Sequence, residues 1–364
     1  MTKLGRSAPP SYSRRQVLHG AAALTAGVTT AGVATAPAFA QRETPLQVLE
    51  WGGYEGPDLY REYLDAGNAQ PNFVFMSSDL DTVNKLRAGL SADLSNLTNN
   101  YFEEYYKNGL IEPWDVTKIP RYNDILPSLK EFGMRDGQQY CVPSIWGYET
   151  VIYNADKVDV AEEAYALLFD DRYAGRIAWW DQSINVVLAG LHNGVDDAWD
   201  MSEQELADMT KFLAEKKKNV RYFWTYFTDW EPDFISGGIQ IAYGFPASWL
   251  RARAAGVNAV SAKPKEGRLI WVNGYVQLKG TQQTEKNYQF VNAWLSPETA
   301  VQIVQEHGYG PANGNVDLSR LDPTVVEDLS LDQPDSLGTD QMIMRKYLPN
   351  ARAYSRAWDR VKAS

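Results

Sequence analysis

Five aromatic pairs sit at or just beyond the ends of short apolar runs: Trp51 with Tyr54, Trp146 with Tyr148, Trp179 with Trp180, Phe245 with Trp249, and Trp271 with Tyr275. A ring face attracts an ammonium group by roughly 0.5–2 kcal/mol, and the same flat face covers a methylene chain. Any single pair is ordinary core material, but five strand ends with the same habit point to an aromatic-lined cleft for an organic cation. Groups for covalent chemistry are sparse by comparison. Cys141 is the lone cysteine, so no internal disulfide can form, and His192 and His307 stand far apart. No His/Cys/carboxylate cluster has metal-ligand spacing, and neither a phosphate-cradling glycine loop nor a Gly-x-Ser-x-Gly elbow is present. The expectation is a binding protein without a cofactor or metal, and not an enzyme. The alternative from a different class is an enzyme exported folded.

That alternative arises from the N-terminus. Ser13-Arg14-Arg15-Gln16-Val17-Leu18 carries a twin arginine, a weakly apolar stretch runs from Val17 to Ala36, and Ala38-Phe39-Ala40 supplies a small-x-small cleavage site. Residues 1–40 therefore read as a twin-arginine signal peptide cleaved near Ala40, with the mature chain in the periplasm. The stretch is too rich in Gly, Ala and Thr to make a good membrane anchor. Loss of Lys3, Arg6, Arg14 and Arg15 takes the net charge from −11 to −15. Such acidity argues against nucleic acid and anionic membranes as partners and suits a cationic ligand; it also simply keeps a secreted protein soluble.

The elements that must position the rings alternate in kind. "LQVLEWGG" is a strand stopped by Gly52-Gly53, "PDLYREYLDAG" a helix, "NFVFM" a strand and "DTVNKLRAGL" a helix, which is the α/β signature of a mainly parallel sheet. "ADLSNLT" reads as a strand and "NYFEEYYKNGL" as a helix. The pattern restarts after "YCVPSIWGYETVIYN": "AEEAYALLFDDRYAG" reads as a helix, "RIAWWD" as a strand, and "MSEQELADMTKFLAEKKKN" as an amphipathic helix with capping-box spacing at Ser202 and Glu205. "RLIWVNGYVQLKG" reads as a strand pair or one bent strand, and Thr339 to Ser364 as a closing helix. About 320 mature residues exceed one core, so two lobes are expected.

Six stretches then carry a resemblance across nearly the whole mature chain: "EWGGYEGPDLYREYL", "ADLSNLTNNYFEEYYKNGLIEPWD", "YCVPSIWGYETVIYN", "FISGGIQIAYGFPASWLRARAAG", "AKPKEGRLIWVNGYVQLKG" and "EHGYGPANGNV". In order and content they resemble the periplasmic spermidine/putrescine-binding proteins of ABC importers, of the type II solute-binding group. The resemblance implies two α/β lobes, each a central mainly parallel sheet flanked by helices, closing on a ligand in the cleft between them. It places 45–145 with 272–316 in the first lobe and 146–271 with 317–364 in the second. The chain would cross at Ser144 to Tyr148, return near Leu269 to Asn273 and leave again after about Val316, so "SIWGYE" becomes a hinge, not a kinked strand.

The same resemblance implies a small-molecule amine as ligand, an inner-membrane permease and ATPase as partners, and a monomer. Trp51 and Tyr54, Trp146, Trp271, Tyr309 and Phe245 match ligand-facing aromatic positions, Phe245 standing where the family usually has Trp. The acids depart from the pattern. Asn273 stands for an Asp, Asn185 for a Glu and Asn100 for a cleft Tyr, leaving Asp181, Glu149, Asp229 and Glu231 as candidate acids. Asp181, Asn185 and Asn273 complete the expected binding set. Putrescine or spermidine is the family default. The amide replacements favour a mono-cationic, quaternary ammonium or zwitterionic amine, because an amide accepts a hydrogen bond without cancelling an ammonium's charge.

Overall fold

The computed structural model describes residues 44–333, 337 and 342–364. The twin-arginine leader expected at 1–40 lies outside them. No described helix is long and apolar enough to cross a membrane.

Among the described residues fourteen strands follow in chain order. They are β1 (Gln47–Glu50), β2 (Asn72–Phe75), β3 (Leu94–Thr98), β4 (Ile111–Glu112), β5 (Met134–Arg135), β6 (Gln138–Gln139) and β7 (Cys141–Asn154). Then come β8 (Ile177–Trp180), β9 (Val220–Trp224), β10 (Ile241–Gly244), β11 (Ala259–Ser261), β12 (Arg268–Leu278), β13 (Gly310–Pro311) and β14 (Met342–Met344). The main sheet runs β2-β1-β3-β12-β7-β10-β8-β9, with β11 and β13 against β7, and β4 and β14 against β12. Parallel pairing holds within each wing, β2-β1-β3 on one side and β10-β8-β9 on the other. The long strands β7 and β12 pair antiparallel at the centre.

Each wing has its own main core and a smaller cluster, the latter around Leu49, Val83 and Val276 in one wing and around Ala178, Trp224 and Trp249 in the other. Leu46, Val48 and Leu94 pack beneath the helices Thr284–Trp294 and Pro297–His307 through Phe290, Trp294 and Val301. Ile177, Val187, Leu213, Tyr354 and Trp358 form the other core, beneath the helices Ile184–His192, Glu203–Lys216 and Ala351–Ala363. The capping box predicted at Ser202 and Glu205 is made in both directions. This is a mixed α/β protein with helices flanking its sheet, as expected.

Several local expectations come out differently, and one open choice is decided. "VPSIWGYETVIYN" belongs to one unbroken, wholly buried strand, β7, whose first half pairs with β12 and β13 and whose second half pairs with β10 and β11. It crosses the molecule without a turn. Of the two forms considered for "RLIWVNGYVQLKG", the bent strand is the one formed, with a register shift at Asn273/Gly274 against β7. Ala161 to Gly175 forms two single turns, Tyr165–Phe169 and Asp171–Tyr173, not a helix, because the Asp170 carboxylate caps Arg172 N–H and restarts the backbone there. The closing helix begins only at Ala351. Before it Met342–Met344 pairs in parallel with Arg268–Ile270, and Pro349 bars a helix from running through. Residues 317–364 also divide their packing: Leu321, Val325 and Leu329 join the first core, and Tyr354, Trp358 and Val361 the second.

Candidate functional site

The strand ends converge on one cavity of about 230 Å³ at the junction of the wings, lined by Trp51, Gly52, Tyr54, Thr98, Glu149, Trp180, Phe245, Trp271, Asn273, Tyr309 and Arg345. Trp51, Thr98, Trp180 and Phe245 all follow or close the carboxyl ends of β1, β3, β8 and β10, where an open α/β sheet leaves its loops free to build a site.

Each ring is held from behind. Trp51 donates its indole N–H to Asn96 O at 2.8 Å and its backbone N–H to Glu50 Oε1 at 2.9 Å. Glu50 is itself buried, bound also by Asn96 Nδ2 and by the Tyr275 hydroxyl, and desolvation pushes its carboxyl up to about 8. Trp271 lies over Gly147, its partner across β7 and β12, where any Cβ would overlap the indole. Tyr309 meets Trp271 edge-on at 4.8 Å between centroids. Across the cavity Trp180 stacks on Trp224 at 5.4 Å and meets Phe245 edge-on at 5.4 Å. Trp51, Trp180, Phe245 and Tyr309 remain partly exposed.

Among the lining residues the charges are a single pair. Arg345 Nη1 donates to Glu149 Oε1 at 2.6 Å, and Tyr243 donates to Glu149 Oε2 at 3.0 Å. The Glu149 side chain is 1 % exposed and that of Arg345 17 %. Desolvation pushes the Glu149 carboxyl above its usual range, against the pull of Arg345 and Tyr243. Behind Thr98, Asp79 accepts the Thr98 N–H, and burial raises its carboxyl to about 7.

Of the nine residues expected to bind ligand, six line the cavity: Trp51, Tyr54, Phe245, Trp271, Asn273 and Tyr309. The other three lie elsewhere. Trp146 is buried under β13, donating to Pro311 O at 3.1 Å, because strand alternation puts it on the face of β7 opposite Gly147 and Glu149. Asp181 accepts from Trp358 Nε1 at 2.7 Å and pairs with Lys362 at 2.9 Å, tying the C-terminal helix to the loop after β8. Asn185 spends its amide N–H groups on Trp180 O and Gln182 O, so it fixes the turn that presents Trp180.

Gly52, Thr98, Glu149, Trp180 and Arg345 also line the cavity and lie outside that set. Glu149 and Trp180 carried a signal, being a candidate acid and one of a paired aromatic. Asp229 and Glu231, the other candidate acids, are engaged apart from the cavity, Asp229 with the Thr225 and Tyr226 N–H groups and Glu231 with Arg251. Arg345 carried none, because its segment reads as helix.

Residues 68–330 match the model of the family described as bacterial extracellular solute-binding protein. The chain belongs to that family, which is made of substrate-binding proteins and implies a small-molecule ligand and a transporter partner. It is 23% identical over 316 residues to a putrescine/agmatine-binding protein of Pseudomonas aeruginosa, covering 79% of this chain and 83% of that one. To a putrescine-binding periplasmic protein of Escherichia coli it is 22% identical over 347 residues, covering 89% and 93%. The fold matches the spermidine/putrescine ABC-transporter substrate-binding protein of Streptococcus pneumoniae with a TM-score of 0.74 and 21% identity, over 88% of this chain and 99% of that one.

Proposed function

We propose that the chain is the periplasmic receptor of an ABC importer and captures a small amine between its two lobes, with twin-arginine export delivering it to the compartment where it meets its permease. The observation that carries the amine reading is the ring wall: Trp51, Tyr54, Trp180, Phe245, Trp271 and Tyr309 surround one small cavity. Ring faces supply attraction to an ammonium group and an apolar surface for its carbon chain. Relatives named for putrescine and spermidine support the same ligand class and make polyamines the default. The lobes would hinge on β7 and β12, the two strands shared by both wings, and close on the ligand.

A thermal-shift screen of the mature chain against putrescine, spermidine, choline, glycine betaine and γ-aminobutyrate tests the reading. At least one amine should raise the melting temperature in a concentration-dependent way. A shift from neutral sugars or from metal ions, with none from any amine, would contradict it.

A further inference from the structure

We propose that the ligand is a zwitterion, one ammonium and one carboxylate on a small carbon frame, and that Arg345 holds the carboxylate. The inference rests on the amine reading above and adds the second end of the molecule.

The backbone of Arg345 is clamped at the junction of the wings. Its N–H donates to Ile270 O at 2.8 Å, and its carbonyl accepts from Asn99 Nδ2 at 2.6 Å. Asn99 Oδ1 in turn accepts the Val272 N–H at 3.1 Å, next to Trp271. A guanidinium so placed is presented at a fixed point in the wall. One arm, Nη1, reaches Glu149, and the side chain, 17 % exposed, lines the cavity. A guanidinium carries five donors and Glu149 engages one arm, so its exposed part calls for a further acceptor, and an ammonium ligand brings none.

The balance of charge points the same way. Glu149 is the one carboxylate among the lining residues, and both its oxygens already accept, from Arg345 and from Tyr243. Asn273 offers no charge. A diamine would bring two uncancelled positive charges beside a pair that is already neutral, which burial penalises. A zwitterion leaves the cavity neutral: its ammonium meets ring faces, and its carboxylate meets the guanidinium.

Matched pairs of compounds isolate the carboxylate: γ-aminobutyrate against n-butylamine, and glycine betaine against tetramethylammonium, with putrescine alongside, all by titration calorimetry on the mature chain. In at least one pair the zwitterion should bind about tenfold or more tighter than its partner, the scale of a charge-assisted hydrogen bond. Arg345→Gln should collapse that ratio to near one. Arg345→Lys, which keeps the charge, should retain part of it. If the Gln variant fails to fold, the native-chain ratio and the Lys variant still decide. Putrescine or a lone amine binding as tightly as every zwitterion would overturn this inference while leaving the amine receptor standing. Zwitterion affinity that Trp271→Ala leaves untouched would instead remove the amine reading itself.

Discussion

Glu50 shows how a residue that never touches the cavity shapes it. Its carboxyl receives three donors, from Trp51, Asn96 and Tyr275, and so fixes the first turn of the ring wall. Burial raises its carboxyl from 4.5 to about 8, and that of Asp79, behind Thr98, from 3.8 to about 7. A carboxyl that holds its proton more tightly when folded stabilises the fold below its unfolded value, and that contribution is lost as pH rises through the folded one. Stability should therefore fall between pH 6.5 and 8. His192 and His307, both depressed by burial, titrate below that window. Glu50→Gln should flatten the slope by at least about 1.4 kcal/mol, the equivalent of one unit, in denaturant titrations at the two pH values. A Gln variant with the full native slope would show that Glu50 is ionised in the folded chain.

The elements that present the site are the two long central strands. Trp271 and Asn273 share one face of β12, and Gly147 and Glu149 face them from β7. Gly147→Ala would push its Cβ into the Trp271 indole, so it should lower both ligand affinity and stability, the latter by roughly 1–3 kcal/mol. Gly56→Ala, in open space with an ordinary φ of −61°, should change neither measurably. Equal melting temperatures and affinities for the two variants would refute the packing argument. Period-two alternation also explains what could be read in advance. The rings after β1 and β10 and within β12 were legible because each sits at a clear apolar run. Trp146 was misplaced because its neighbours, Gly147 and Glu149, hold the inward face. Asp181 and Asn185 were misplaced because the C-terminal helix and the backbone of the loop after β8 take their side chains. Arg345 was illegible because the short strand that leads into it, β14, exists only through pairing with β12, a tertiary contact that local pattern does not reveal.

At the scale of the molecule, one sheet serves two wings, each with a main core and a smaller cluster, and the cavity lies where the wings meet. Buried links cross that junction: Glu149 with Arg345, and Arg268 with Asp328 at 2.9 Å, the latter beside a Tyr148 hydroxyl that also bonds Asp328. Closure on a ligand would rotate the wings about β7 and β12 without unpairing them. Small-angle scattering should give a smaller radius of gyration with saturating ligand; an unchanged radius with a ligand of proven affinity would rule out the clamp. Whether ring faces in this cavity hold the proposed amine is decided by titrating the mature chain and Trp271→Ala with the amine that gives the largest thermal shift. The native chain should bind it with one-to-one stoichiometry, and the variant should stay folded and lose roughly 2–4 kcal/mol of binding free energy, the scale of an anchor residue. A folded variant that binds the amine as tightly as the native chain would contradict the claim.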